Sequence, residues 1–154
     1  MRRIDALLAD YGSSHESRGN VLCHVVGITL ILFGVLDLLH RVRLVGPWTL
    51  GEAVVAVAGL FYLSLDLPLG LATTAALVML DLAARAALRS GWGWGAAAFV
   101  VGWIFQGIGH AVYEKKSPAF LRNLVHLLVG PAFLVNELLR IHPVAPATIS
   151  RRSS

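Results

Sequence analysis

The sequence predicts an all-α fold, a polytopic transmembrane helical bundle of about five spans with a short N-terminal amphipathic helix. Three observations predict it. Of 154 residues, 56% are hydrophobic and only 14% charged, whereas a soluble domain carries roughly 25% charged residues. The mean hydropathy is +0.71. The apolar residues also fall into long runs, separated by short stretches of Gly, Pro, Trp and basic residues. The length suits a single membrane domain over residues 1–154, and no linker-like stretch divides it.

In chain order, Ile4, Leu7, Leu8 and Tyr11 share one helical face, with Asp5 and Asp10 elsewhere, so residues 4–12 form an interfacial amphipathic helix. The same aspartates interrupt what would be the apolar core of a secretory signal, so none is expected. The spans are expected at about 20–40, 50–65, 67–88, 93–113 and 120–141, with residues 142–154 as a tail. At about 1.5 Å per residue each crosses, or nearly crosses, a hydrocarbon core of about 30 Å. Gly46-Pro47-Trp48 and Gly91-Trp92-Gly93-Trp94 read as turns carrying interfacial tryptophans. Asp66-Leu67-Pro68 is a tight hairpin, and Ser117-Pro118 reads as the cap and first position of the fifth helix. Gly130-Pro131 is expected to kink that helix. Five spans place the N-terminus, the Asp66 turn and Lys115-Lys116 on one side, and the tail on the other. Lys and Arg divide too evenly between the sides to set orientation.

A net charge of +4 and a pI near 9.8 do not signify nucleic acid. The arginines stand at the edges of apolar runs, where they anchor spans against anionic headgroups, and no basic stripe interleaved with aromatics occurs. The single cysteine, Cys23, excludes an internal disulfide. Alanine- and arginine-rich, lysine-poor usage suggests a bacterial source and hence its cytoplasmic membrane, or the endoplasmic reticulum were the source eukaryotic.

Chemistry-bearing side chains gather toward one membrane face. His15, Asn20 and His24 precede or open the first span. Gln106, His110 and Glu114 follow at four-residue spacing near the end of the fourth, and Asn123 and His126 open the fifth. Ionisable groups inside spans are costly and usually functional. Histidines with carboxylate and amide partners, and no thiolates, suit a first-row metal such as iron or zinc. His24 and His110 are the leading ligand candidates, with His15 beside them. Other polar residues read as structural. Asp81 with Arg85, and Glu137 with Arg140, are expected to pair within their own helices. His40 lies about 24 Å along the helix from His24 and belongs to another site. Gly102, Gly107 and Gly109 are expected to permit close helix packing.

The blocks Tyr11-x3-His15-x4-Asn20-x3-His24 and Trp103-Ile104-Phe105-Gln106-x2-Gly109-His110-x3-Glu114-x3-Pro118-Ala119, with Asn123-Leu124, Pro131, Phe133 and Glu137, resemble a known family. It comprises the membrane 2-hydroxy-fatty-acid dioxygenases, typified by the fungal endoplasmic-reticulum protein that turns phytosphingosine into odd-numbered fatty acids, with many bacterial relatives. The resemblance runs from about residue 4 to 140. It implies an iron(II)-dependent oxygenase of fatty-acid α-oxidation. A 2-hydroxy fatty acid would react with O2 to give an acid one carbon shorter and carbon dioxide. His15, His24 and His110 match the family's histidines. His126 stands where relatives often carry glutamine, and is either a further ligand or a hydrogen-bond donor. Under this reading Gln106, Asn20 or Asn123 bonds the substrate carboxylate, while Glu114 orients a ligand or moves a proton. The partners implied are the hydroxy acid, O2 and membrane lipid. Two other readings fit the same residues: a non-catalytic scaffold or lipid-binding protein whose polar cluster locks helices together, and a haem redox carrier ligated by His24 and His110.

Overall fold

The computed structural model describes residues 3–13, 17–114 and 125–143. His15, Asn123, Ser117-Pro118, Lys115-Lys116 and the tail beyond 143 lie outside them. Helix α1 (Arg3–Gly12) turns Ile4, Leu8 and Tyr11 inward, as its periodicity predicts. Helix α2 (Arg18–Leu39) begins at Ser17, whose hydroxyl accepts from the Asn20 N–H at 3.1 Å. The segment after it is not a plain loop. Arg43–Val45 (β1) and Trp48–Thr49 (β2) pair as a two-stranded antiparallel ribbon around Gly46-Pro47. Gly46 has φ +56°, the conformation that a two-residue hairpin turn demands and glycine supplies without strain.

Helix α3 (Leu50–Leu65) starts at Thr49, whose backbone N–H donates to the Glu52 carboxylate at 2.8 Å. Asp66 separates it from α4 (Leu67–Ala87) and caps the latter, accepting from the Leu69 N–H at 2.9 Å, with Pro68 in the first turn. A 3₁₀ turn, Leu88–Ser90, leads to α5 (Trp92–Ile108). This helix passes directly into a π turn, Gly109–Glu114, where an α continuation was expected. Helix α6 covers Val125–Leu139 and carries Pro131 inside it.

Among the described residues, three helices are long and apolar enough to cross a membrane: Arg18–Leu39, Leu67–Ala87 and Trp92–Tyr113. Helix α3 is shorter, and α6 departs from the expected fifth span. The Tyr62 hydroxyl donates to the Leu128 carbonyl at 2.7 Å, near the start of α6. Just past its end, His142 Nε2 stands 2.9 Å from Asp66 Oδ1. Asn136 clamps the backbone of His142, its amide donating to the His142 carbonyl at 3.0 Å and its oxygen accepting from the His142 N–H at 2.8 Å. Both ends of α6 are therefore tied to the same last turn of α3 and the Asp66 junction. A helix of this length running along the bundle would carry its far end about 20 Å away. His142 consequently lies at the Asp66 end, not on the opposite face where the tail was expected.

The main packing is between antiparallel α2 and α5. Gly95 and Gly102 of α5, and Gly109 immediately after it, recur every seven residues and meet Gly34, Gly27 and Asn20, which recur every seven residues on α2. A Cβ on Gly34 would stand 2.5 Å from the Gly95 carbonyl oxygen, and one on Gly102 would stand 2.7 Å from that of Gly27. Gly107, expected to share this packing, faces open space.

Two expected ion pairs are also replaced. Asp81 meets His40 Nε2 at 2.9 Å instead of Arg85, which pairs with Glu52 across to α3. Glu137 and Arg140 do not pair, and Arg140 adopts φ +53° where α6 ends. His40 also bonds Thr49 at 2.7 Å, so it fastens the far end of α2 to α3 and α4, well away from His24. Trp48, Trp92 and Trp94 are exposed at that far end, and Val57, Leu60, Leu71, Met79 and Leu82 are exposed along the helices. An outward apolar surface edged at one end by tryptophans is compatible with a lipid setting.

Two outcomes follow. Gly102→Ala drives a methyl group into the Gly27 backbone and should cost about 1–3 kcal/mol, read as reduced resistance to denaturation in detergent. In a Cys23→Ser background, an impermeant maleimide should label Ser13→Cys and Pro143→Cys from the same side of oriented vesicles and Arg43→Cys from the other. Labelling of Pro143→Cys together with Arg43→Cys would refute this path for α6.

Candidate functional site

The heptad contact between α2 and α5 decides which side chains face one another at the capped end of α2. Asn20 is fully buried against Gly109, and a Cβ on Gly109 would collide with the Asn20 amide oxygen and approach His24 Nδ1 to 3.3 Å. With no side chain there, α2 and α5 close up and their histidines meet. His24 Nε2 lies 3.2 Å from His110 Nε2. The rings are near perpendicular, at 88°, with centroids 4.8 Å apart. Both side chains are buried.

Tautomers follow from the neighbours. His24 Nδ1 lies 2.9 Å from the Asn20 carbonyl oxygen, an acceptor only, so Nδ1 carries the proton and Nε2 presents its lone pair toward His110. Two imidazole nitrogens this close share either a proton or a cation. Backbone carbonyls that hold the other ring N–H are the usual support of metal-binding histidines. His24 and His110 therefore fit a first-row cation by donor type, burial and convergence. Among the described residues no third His, Cys, Asp or Glu completes a three-ligand group with them.

This pair is set in a chain matched from residue 1 to 141 by the family model for 2-hydroxy-palmitic acid dioxygenase Mpo1-like proteins. The chain belongs to that family. It is 38% identical over 136 residues to the 2-hydroxy-palmitic acid dioxygenase MPO1 of Saccharomyces cerevisiae, covering 86% of this chain and 77% of the yeast protein. No solved structure matches.

In this Mpo1-like chain the remaining candidates are distributed as follows. Asn20 contributes its backbone carbonyl to His24, while its side chain lies against Gly109. Gln106 is buried one turn before His110 and faces α2 at Gly27, where a Cβ would stand 3.1 Å from its amide nitrogen. Glu114 closes the π turn and His126 lies in the first turn of α6. The side chains of both, like His15 and Asn123, are outside the described residues. Tyr11 is buried against Phe133 with ring centroids 4.9 Å apart. Burial pushes its phenol well above its ordinary range, so it stays protonated.

Two features escaped the sequence reading. The seven-residue recurrence of glycine on α5 was a legible signal for which face meets α2. The π turn had none, because four-residue spacing of Gln106, His110 and Glu114 is what an α-helix also shows. π turns nonetheless concentrate at functional sites.

Gly109→Ala should destabilise the protein by about 1–3 kcal/mol and perturb the histidine ring resonances in NMR spectra. Gly107→Ala, made into open space, should leave both unchanged. Equal effects from the two variants would mean that the contact at Gly109 does not set the histidine geometry.

Proposed function

We propose that this protein is an iron(II)-dependent dioxygenase of fatty-acid α-oxidation. It converts a 2-hydroxy fatty acid and O2 to the fatty acid one carbon shorter, carbon dioxide and water. The single observation that carries the reading is the His24–His110 approach at 3.2 Å, in a chain of a family named for a 2-hydroxy-palmitic acid dioxygenase.

His24 and His110 would hold the ion through Nε2, with His15 and His126 as further candidates. Ferrous iron bound there supplies open positions for the hydroxy acid's oxygens and for O2. The protein's own contribution is positional. The Asn20 carbonyl keeps His24 in the tautomer with a free Nε2, and the Asn20–Gly109 contact holds the two rings at fixed separation. Burial of both imidazoles excludes water from the reacting centre. Gln106, buried one turn before His110, is the amide assigned to a carboxylate oxygen, and Glu114 the carboxylate assigned to move a proton. The haem-carrier reading is not favoured, since a macrocycle between the two rings has no space at this separation.

Detergent-purified protein should contain iron and consume O2 with 2-hydroxypalmitate. His24→Ala or His110→Ala should lower metal content or turnover by about 100-fold or more, while the variant still inserts into membranes. Wild-type protein that takes up no iron and no O2, or a histidine variant that retains both in full, would remove the corresponding assignment.

A further inference from the structure

A cavity of about 180 Å³ lies where α6 crosses α2 and α4. Its wall includes Val25, Ile28 and Leu32 of α2, Thr73 and Leu77 of α4, and Leu134 of α6. It begins one residue past His24, and Ile28 follows His24 by one helical turn on the same side. From Val25 to Leu32 the helix rises about 10 Å, so the cavity runs from the level of His24 along α2 into the apolar body of the protein.

Two hydroxyls line this otherwise apolar space, and they differ. Thr29 donates to the Val25 carbonyl at 2.7 Å. Thr73 is 0% exposed, and its hydroxyl has no hydrogen-bond partner among the described residues. Native interiors rarely keep such a group without a use. Its depth is informative. Helices α2 and α4 both start from the end that carries α1 and the Asp66 junction, and His24 and Thr73 each stand seven residues past their caps, Ser17 and Asp66. Of the two hydroxyls that line the cavity, the unsatisfied one thus lies near the level of His24, with apolar wall beyond it.

We propose that this cavity receives the acyl chain of the 2-hydroxy acid, its polar end toward His24, with the Thr73 hydroxyl bonding an oxygen of that end. The inference rests on the dioxygenase reading for the identity of the ligand. Apolar walls with a few placed polar groups are how ligand sites fix both affinity and direction. The depth available between α2, α4 and α6 then sets the preferred chain length.

The test uses metal-free protein in detergent and a 2-hydroxy fatty acid carrying a terminal diazirine. Photolysis should place adducts on Ile28–Leu32 or Leu77–Leu80, and unlabelled 2-hydroxypalmitate should suppress them. Thr73→Val, which keeps the shape, should weaken that protection about tenfold, the order expected when a site's hydrogen bond is lost. In the iron-loaded enzyme, Ala76→Phe should shift turnover about tenfold from 2-hydroxypalmitate toward 2-hydroxyoctanoate, and Leu77→Ala should shift it the other way. Adducts elsewhere, adducts suppressed only by phospholipid, or an unchanged chain-length profile in both variants would overturn the proposal. Specific, competed adducts in a protein that consumes no O2 would leave the cavity assignment standing and remove the dioxygenase reading instead.

Discussion

The distance between α2 and α5 governs the rest of this molecule. In lipid there is little hydrophobic drive to bring two helices together, so contact depends on shape, and glycine permits the closest approach. Here two glycines on α5 and the glycine that opens the π turn face two glycines and a buried asparagine on α2, all at seven-residue intervals. A repeat of seven keeps one seam of each helix in contact over several turns. The seam ends at Gly109, and His110 is the next residue. The histidine pair is therefore an outcome of backbone packing, with its separation decided by the absence of a methyl group on a neighbouring residue.

A second, polar system fastens the other helices. His40 joins the end of α2 to Thr49 and Asp81, while Glu52 takes Arg85. At the opposite end, Asp66 both caps α4 and receives His142. Each junction uses one residue for two purposes, a helix cap and a tertiary contact. In an apolar surrounding such groups have no water to fall back on, so each must find its partner within the protein. The two networks bracket the bundle and leave its middle to apolar and glycine contacts.

Much of this was legible in the sequence for physical reasons. Apolar runs of about 20 residues between Gly, Pro and Trp stretches mark helices whatever their partners, and α2, α4 and α5 emerged within a few residues of expectation. The gathering of His24 and His110 was readable because alternating helix direction brings the start of α2 and the end of α5 to one level. Failures arose where a local rule met a tertiary competitor. Asp81 and Arg85 stand four apart, a good helical pair, yet each had a stronger partner on another element. For α6, composition and length could not distinguish a crossing helix from one tethered at both ends, because the deciding bonds come from Tyr62 and Asp66, more than sixty residues away in the chain. The ribbon at Arg43–Val45 was short enough to hide inside a turn.

The π turn at Gly109–Glu114 adds one residue to the turn that ends the described part of this helix. Each residue of an α-helix advances about 100° around its axis, so such an insertion rotates everything after it by that angle relative to everything before. On the near side, α5 remains locked to its glycine seam. Within the turn itself, Tyr113 lies over Gly19, one residue from the fully buried Asn20. The helix thus has two tasks, holding the bundle by its glycine seam while the wider turn that follows aims His110 and Tyr113 at the start of α2.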